Sequence, residues 1–338
     1  MPGRIAAWTA RGLLVAGVAL GGLWVATHGV AGVAVGAVAG VLRGVAARQL
    51  GLLAVIWLGG LGIYATVLSA ALPGLGVRRG LLLNLSGSAV ANVVPLGGAA
   101  ATALNWRMVR GWGHSTPAFA TFCVLTNALD VATKLALPLV ALATAATLSM
   151  HVPTALWVVA GGCAAALALG GALMTSLTRH PAPGDRGNAP TTGRGTVGPA
   201  VRRLATGLRD TLTRVGRALA ADWARLVPAS AAYVAAQVLL LDVSLHAVGL
   251  PVALPVVLIA AAIERLGTVL PLTPGGTGVA EIGTVAWLVA SGGSPALVVG
   301  GVLLYRLFLI GMEVPVGGLL LGLWTWWTWP DRACGVAS

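Results

Sequence analysis

Long apolar segments alternate along the chain with short polar breaks. The apolar segments predict helices near residues 12–34, 49–72, 116–149, 153–178, 226–248 and 294–329. About 20 apolar helical residues cross the ~30 Å hydrocarbon core of a bilayer. The two longest segments contain an internal proline, Pro138 or Pro315, which favours a kinked span or a close pair of spans. The pattern predicts an all-α polytopic membrane protein with about 6–8 transmembrane helices.

The composition supports the same class of protein. Of the 338 residues, 57% are hydrophobic and 9% are charged, whereas soluble domains are about 25% charged. A cleaved signal peptide is the alternative for residues 1–34, but the later spans favour a first helix that is retained. The cysteines, Cys123, Cys163 and Cys334, show no metal-ligand spacing. We expect no metal site, no cofactor, and a multi-pass location in the cell membrane.

Basic residues are concentrated in the middle of the chain. The net charge is +12, and 9 of the 21 basic residues lie within 179–225. Residues 179–199 are rich in Pro, Gly and Thr, which predicts a flexible linker. Within 201–219, apolar residues at three- and four-residue spacing oppose arginines, which predicts a basic amphipathic helix.

Two partners suit such a helix, nucleic acid and an anionic membrane surface. Because spans flank it, we expect the cytoplasmic leaflet and no nucleic-acid partner. The predicted organisation is a first membrane repeat (1–178), a cytoplasmic linker with the basic helix (179–225) and a second membrane repeat (226–338).

Two Pro/Gly-rich breaks indicate an internal duplication. Adding 178 to a position in the first half places Gly97 and Gly98 of “PLGG” on Gly275 and Gly276 of “TPGG”. The same offset places Pro117 on Pro295, and the helix layout also repeats. With three spans in each half, an odd number, we expect the two repeats to be inverted.

The helices beside each break are short, which bears on how the breaks meet the membrane. Non-helical backbone at membrane depth is costly unless protein or water satisfies its polar groups. Short helices around a Pro-Gly-Gly break favour a re-entrant hairpin, and two such hairpins in related halves point to a transport site. Two surface loops between ordinary spans are the alternative.

A few ionisable residues interrupt the apolar segments, where they are expensive and usually functional. They are Asp130, Lys134, Asp242, Glu264, Arg265, Glu281, Arg306 and Glu313. Asp130 and Lys134 share a helix face, so a pair that only packs helices is an alternative for them. We expect Glu281, with Arg265 or Arg306, to form the substrate site, because an arginine fork suits a phosphate group. Glu313 is expected on the same helix face as Arg306.

Polar residues around the first break extend this pattern. Asn84, Asn92, Asn105 and Asn127 punctuate apolar helices, with Arg107 and Arg110 nearby. They predict a polar cavity, although hydrogen bonds between helices explain any one of them. The chain shows no nucleotide-binding loop, catalytic triad or metal cluster, so we expect no enzymatic activity.

Two stretches carry a resemblance to a known family. They are “LPLTPGGTGVAE” (270–281), followed by “YR” and “PVGG”, and “NVVPLGGAAATALNWRMVRGWG” (92–113), followed by “NALD”. They resemble the lysylphosphatidylglycerol synthase/flippase transmembrane family over residues 10–325. That family includes archaeal proteins linked to dolichol-phosphate sugar export.

The resemblance implies a flippase-like domain that moves an anionic phospholipid or a polyprenyl-phosphate-linked sugar between leaflets. The alternative is a membrane subunit that assists a lipid-linked glycosyltransferase or an aminoacyl-lipid synthase. The positions that match the family are Pro95, Gly97, Gly98 and Asp130, then Pro274, Gly275, Gly276, Gly278, Glu281 and Arg306. This chain has Ala99 and Asn127 where the family often has an acid and an arginine. No aminoacyl-transferase domain follows the last span, so we do not expect aminoacyl-lipid synthesis.

Overall fold

The computed structural model describes residues 33–94, 97–179, 199–268 and 279–328, and within these ranges the chain forms helices without β-strands. The first-half helices are α1 (Val35–Arg43), α2 (Ala47–Ala71), α3 (Val77–Val93), α4 (Gly97–Gly111), α5 (Thr116–Thr147) and α6 (Thr154–Arg179). The second-half helices are α7 (Pro199–Ala247), α8 (Leu254–Gly267), α9 (Val279–Ala290), α10 (Pro295–Arg306) and α11 (Glu313–Thr328). The π-helix Leu307–Met312 joins α10 to α11. The expected first span (12–34) falls almost entirely outside the described residues, as do linker residues 180–198.

Five stretches of the described chain are long and apolar enough to cross a membrane. They are Ala47–Ala71, Thr116–Thr147, Thr154–Ser176, Thr206–Ala247 and Pro295–Trp327. Large apolar side chains on them point away from the protein, including Val55, Val158 and Leu319, which are 66–73% exposed. Contact between these apolar side chains and lipid chains is favourable, whereas their exposure to water would be costly. The all-α, multi-pass architecture expected from the sequence is confirmed.

The long helix α7 joins the basic segment to a membrane span. Asp222 has non-helical dihedral angles (φ −121°, ψ 18°) and marks a kink within it. On the basic side of the kink, Val215 is fully buried among first-half side chains that include Met108 and Phe119. Leu208 is 60% exposed. Part of the apolar face of the basic helix therefore packs on the protein, and part of it is exposed.

Pro315 explains the irregularity in the last span. A proline lacks the backbone N–H, and its ring collides with the carbonyl of the residue four positions earlier, here Gly311. The π-helix Leu307–Met312 ends at this point, and π-type turns accommodate such a defect. Since a π-turn contains more residues than an α-turn, it rotates Glu313 away from the helix face of Arg306. The expectation that these two side chains share a face is wrong.

The helix boundaries repeat at the offset of 178 residues. Shifted by 178, α2 falls on the second part of α7, and α3 and α4 fall on α8 and α9. The helix α5 falls on α10, the π-helix and α11 together. This layout supports the internal duplication.

The equivalent helices α2 and α7 run antiparallel. Gly60 of α2 faces Ala236 of α7, and one turn later Tyr64 stacks on Tyr233 with ring centroids 4.6 Å apart. From the first contact to the second, the residue number rises along α2 and falls along α7, so the two helices run in opposite directions. The offset makes Gly59 equivalent to Gln237, so the two helices cross near equivalent positions. An antiparallel crossing at equivalent positions is what a two-fold axis perpendicular to both helices would produce, and it supports inverted repeats.

Two helical hairpins lie between the long helices. Hairpin 1 is α3 with α4, and hairpin 2 is α8 with α9; the arms of each pack on one another. Their arms have 17, 15, 14 and 12 residues, fewer than the ~20 that a crossing needs. Each hairpin packs on a membrane span of the opposite half: α3 packs on α11, the second part of the span Pro295–Trp327, and α8 packs on α5. This exchange brings residues from both halves together.

Candidate functional site

A buried arginine between two glutamates forms the centre of the site. Arg306, at the end of α10, places Nη2 3.0 Å from Glu264 Oε1 and Nε 3.0 Å from Glu281 Oε1. The side chains of Arg306, Glu264 and Glu281 are 11%, 7% and 17% exposed. The sequence offered Arg265 or Arg306 as the partner of Glu281, and the structure pairs Glu281 with Arg306. We name these three residues the arginine triad.

A second ion-pair group lies beside the triad. Asp130 Oδ2 is 2.7 Å from Lys134 Nζ, and Asp130 Oδ1 is 3.6 Å from Arg265 Nη1. Arg265 follows Glu264 in the chain, so consecutive residues of α8 reach the two groups. The side chain of Asp130 is 38% exposed, which makes it the most open of these ion-paired groups.

Helix ends explain why hairpin 2 carries these charges. Glu281 lies in the first turn of α9 and Arg265 in the last turn of α8. The helix dipole favours an anion in the first turn of a helix and a cation in the last turn. Glu264, near the C-terminus of α8, has the unfavourable sign for its position, and its ion pair with Arg306 offsets that cost.

Arg265 has binding capacity that its ion pair does not use. Its Nη2 is buried and has no hydrogen-bond partner among the described residues. Its guanidinium lies 5.8 Å from the ring centroid of Tyr233, which in turn stacks on Tyr64. A buried donor without an acceptor is costly, and an anionic oxygen would satisfy it.

The charges of the arginine triad and of Arg265 belong to the second half only, whereas Asp130 and Lys134 come from the first half. At the offset of 178, the positions equivalent to Glu264, Arg265 and Glu281 are Ser86, Gly87 and Ala103, and the equivalent of Arg306 is Ala128. Hairpin 1 therefore presents a neutral surface where hairpin 2 presents ions. The duplicated scaffold holds one charged site rather than two among the described residues.

The other predicted site residues lie elsewhere. Asn92 donates from Nδ2 to the Ser88 carbonyl over 2.9 Å, next to the bond between Ser88 and Glu313. Asn105 lies against Gly87, where a Cβ would come within 3.0 Å of its amide nitrogen. Arg107 is exposed on α4, and no ion pair among the described residues connects it to the triad.

The motif positions are only partly described. Gly97 begins α4, and a Cβ there would collide with the backbone of Ala91, whereas Gly98 has open space. Pro95, Pro274, Gly275, Gly276 and Gly278 lie outside the described residues.

Sequence reasoning missed the tyrosines next to the ion pairs. The chain has 3 tyrosines, and all of them lie in apolar helices: Tyr64, Tyr233 and Tyr305. Tyr233 contacts Arg265, and Tyr305 is adjacent to Arg306. Their rarity and their positions in the spans were the available signal. In the part of the chain that the structure describes, no group of three His, Cys, Asp or Glu side chains could hold a metal ion.

The comparison with protein families identifies this architecture. The model of the lysylphosphatidylglycerol synthase TM region matches residues 11–317, which is most of the chain. The chain belongs to this family. The lysylphosphatidylglycerol synthase TM region is the flippase-like membrane domain of those proteins and not their catalytic domain. Searches of curated proteins and of solved structures gave no match.

Proposed function

We propose that this protein is a flippase-like transporter that moves an anionic phospholipid or a lipid-linked sugar phosphate between membrane leaflets, without enzymatic activity. The observation that carries the proposal is the buried Nη2 of Arg265, which has no hydrogen-bond partner among the described residues. Arg265 lies in hairpin 2, next to the arginine triad. A phosphate oxygen is a suitable acceptor for this donor. The two arms of hairpin 2 are too short to cross the membrane, as in transport sites built from broken helices.

A groove beside the ion pairs suits the alkyl chains of such a lipid. A cavity of about 420 Å³ between α5, α7 and α8 is lined mainly by apolar side chains, including Leu137, Val238 and Leu258. Thr133, adjacent to Lys134 in the chain, also lines it. A lipid could place its phosphate at Arg265 and a chain in this groove. Both interactions would use the surface where α8 packs on α5.

The arginine distribution suggests an orientation in the cell membrane. Hairpin 1 opens at an end that carries Arg78, Arg79, Arg107 and Arg110, whereas residues 248–256 and 288–296 at the open end of hairpin 2 carry no Lys or Arg. Arginine accumulates in segments that stay inside. Hairpin 1 and the central basic loop would then be cytoplasmic, and hairpin 2 would open outside. Arg43, before α2, and Arg48, in the first turn of α2, are the exception.

A subunit that assists a lipid-linked glycosyltransferase or an aminoacyl-lipid synthase is the second candidate. Arg306, Arg265 and Lys134 each have a carboxylate partner, as an arrangement that only holds helices together would. Three cations and three carboxylates (Glu264, Glu281 and Asp130) leave the site without net charge. A substrate phosphate must then compete with these carboxylates or use the spare donor of Arg265.

Lipid analysis of a deletion strain with leaflet-specific labelling tests the proposal. A transporter predicts that one anionic lipid keeps its total amount but changes its distribution between leaflets. An assisting subunit predicts instead that the total amount of a modified lipid falls. An unchanged amount and distribution of every lipid would contradict both.

A further inference from the structure

A second buried carboxylate, Glu313, lies outside the arginine triad. It is the first residue of α11, directly after the π-helix, and it is 8% exposed. Ser88 Oγ on α3 donates to Glu313 Oε2 over 2.5 Å. No ion pair connects Glu313 to a cation among the described residues. This separates it from Glu264, Glu281 and Asp130, each of which has one.

Glu313 faces a small pocket where the two halves cross. The pocket has a volume of about 10 Å³, near the lower limit for one water molecule. Trp57, Gly60, Tyr233 and Gln237 line it together with Glu313. Trp57 is 7% exposed, and its Nε1 has no hydrogen-bond partner in the described part of the chain. Two largely buried polar side chains therefore border a site with room for one water.

The charged and titratable groups around Glu313 are few. Tyr233 on α7 and Tyr64 on α2 lie within its electrostatic reach. On α3 the neighbouring polar side chains are uncharged: Ser88, and Asn92, whose Nδ2 lies 3.5 Å from Ser88 Oγ. Arg265 contacts Tyr233 and is paired with Asp130. Isolated buried charge is expensive, and uptake of one proton removes it.

We propose that Glu313 is a proton-binding site whose protonation state sets the strength of the contact between hairpin 1 and α11. Ser88 belongs to the first half and Glu313 to the second, so their bond joins the halves. An ionised carboxylate accepts a charge-assisted hydrogen bond from Ser88, and a neutral carboxyl makes a weaker one. The proton moves between water and a carboxylate oxygen, so no other reactant is needed. The idea that protonation of Glu313 is coupled to transport rests on the proposed transport function. The idea that Glu313 binds a proton does not.

Infrared difference spectroscopy of the full chain tests the site without any transport measurement. The protein is placed in phosphatidylcholine nanodiscs, and spectra are compared across pH at fixed salt. We expect a C=O band from a buried protonated carboxyl that titrates in the wild type. The band should be absent in Glu313→Gln and retained in Glu264→Gln, the matched change at a carboxylate paired with Arg306.

A second variant covers the case in which Glu313→Gln does not fold. Ser88→Ala removes the hydrogen bond from both protonation states, so the C=O band of the neutral carboxyl should shift in frequency. Its midpoint should rise by about 1–2 pH units, the equivalent of one hydrogen bond to a charged group. A titrating band that persists in Glu313→Gln would overturn the proposal, as would an unchanged midpoint in Ser88→Ala. A band that responds to sodium but not to pH would show a metal-cation site instead, and would also overturn it.

Discussion

Tyr64 of α2 stacks on Tyr233 of α7 with ring centroids 4.6 Å apart and planes 30° from parallel. One turn away, Gly60 faces Ala236. These contacts show that the two equivalent helices run antiparallel. A duplicated unit whose copies run in opposite directions across a bilayer has inverted topology.

We predict that the open ends of the two hairpins face opposite sides of the membrane. Gly111 and Ser291 are exposed at these ends, so cysteines there should react with impermeant reagents. In a background without Cys123, Cys163 and Cys334, Gly111→Cys should be labelled from the cytoplasmic side and Ser291→Cys from the outside. Labelling of both from the same side would exclude inverted repeats.

Gly317 should be intolerant of a methyl group, and its neighbour should not be. A Cβ at Gly317 would collide with the carbonyl of Leu85, whereas Gly318 has no neighbour within 4 Å. Gly317→Ala should destabilise the packing of α11 on α3 by about 1–3 kcal/mol, the usual cost of overpacking. Melting in detergent should show a lower Tm for Gly317→Ala and a wild-type Tm for Gly318→Ala. Equal Tm values would show that the two helices do not approach so closely.

A similar pair tests the break in hairpin 1. Gly97→Ala would place a Cβ against the backbone of Ala91, and Gly98→Ala meets open space. We expect Gly97→Ala to reduce the amount of folded protein, as measured by size-exclusion chromatography. Gly98→Ala should behave as the wild type, and the reverse order would contradict the described turn.

The basic part of α7 should bind anionic membranes through its arginines. Arg214 and Arg217 are exposed while Val215 is buried in the protein, so charge is available at the surface. Each arginine contributes about 1 kcal/mol near an anionic leaflet, and salt screens this attraction. A peptide of residues 201–219 should bind vesicles containing phosphatidylglycerol and dissociate as ionic strength rises. Equal binding to neutral vesicles would mean that its apolar face alone is responsible.

The sequence predicted the framework well because hydropathy and proline positions are local signals. The spans and the offset of 178 residues follow from such signals. The partner of Glu281 could not be chosen between Arg265 and Arg306, since the packing of α10 on hairpin 2 is a long-range contact. Arg107 was expected near the site but lies exposed, because one residue in a short helix does not reveal which face is buried.

Glu313 shows a different limit of prediction from the sequence. An α-helical period places it on the face of Arg306, and the π-helix before Pro315 changes that register. Proline signals a defect in a helix but not the form that the defect takes.

The arginine triad predicts a specific pattern of stability. Glu281→Gln leaves Arg306 paired with Glu264, so this variant should fold. The double variant Glu264→Gln with Glu281→Gln leaves a buried arginine without a partner and should lose about 3–5 kcal/mol. Thermal melting of matched preparations measures the difference. Similar losses in the single and double variants would show that Glu264 does not support Arg306.

Lipid movement in proteoliposomes tests the central claim most directly. Fluorescent anionic lipids in the inner leaflet are protected from an impermeant quencher until they are transported. The wild type should expose them, whereas Glu281→Gln and Arg306→Lys should remain folded and fail to do so, because lysine lacks the planar fork of arginine. The control variants Asp210→Asn and Arg217→Lys make the same kinds of change at exposed positions and should transport normally. Full transport in Glu281→Gln and Arg306→Lys would remove both residues from the site, and no transport by the wild type would contradict the flippase account.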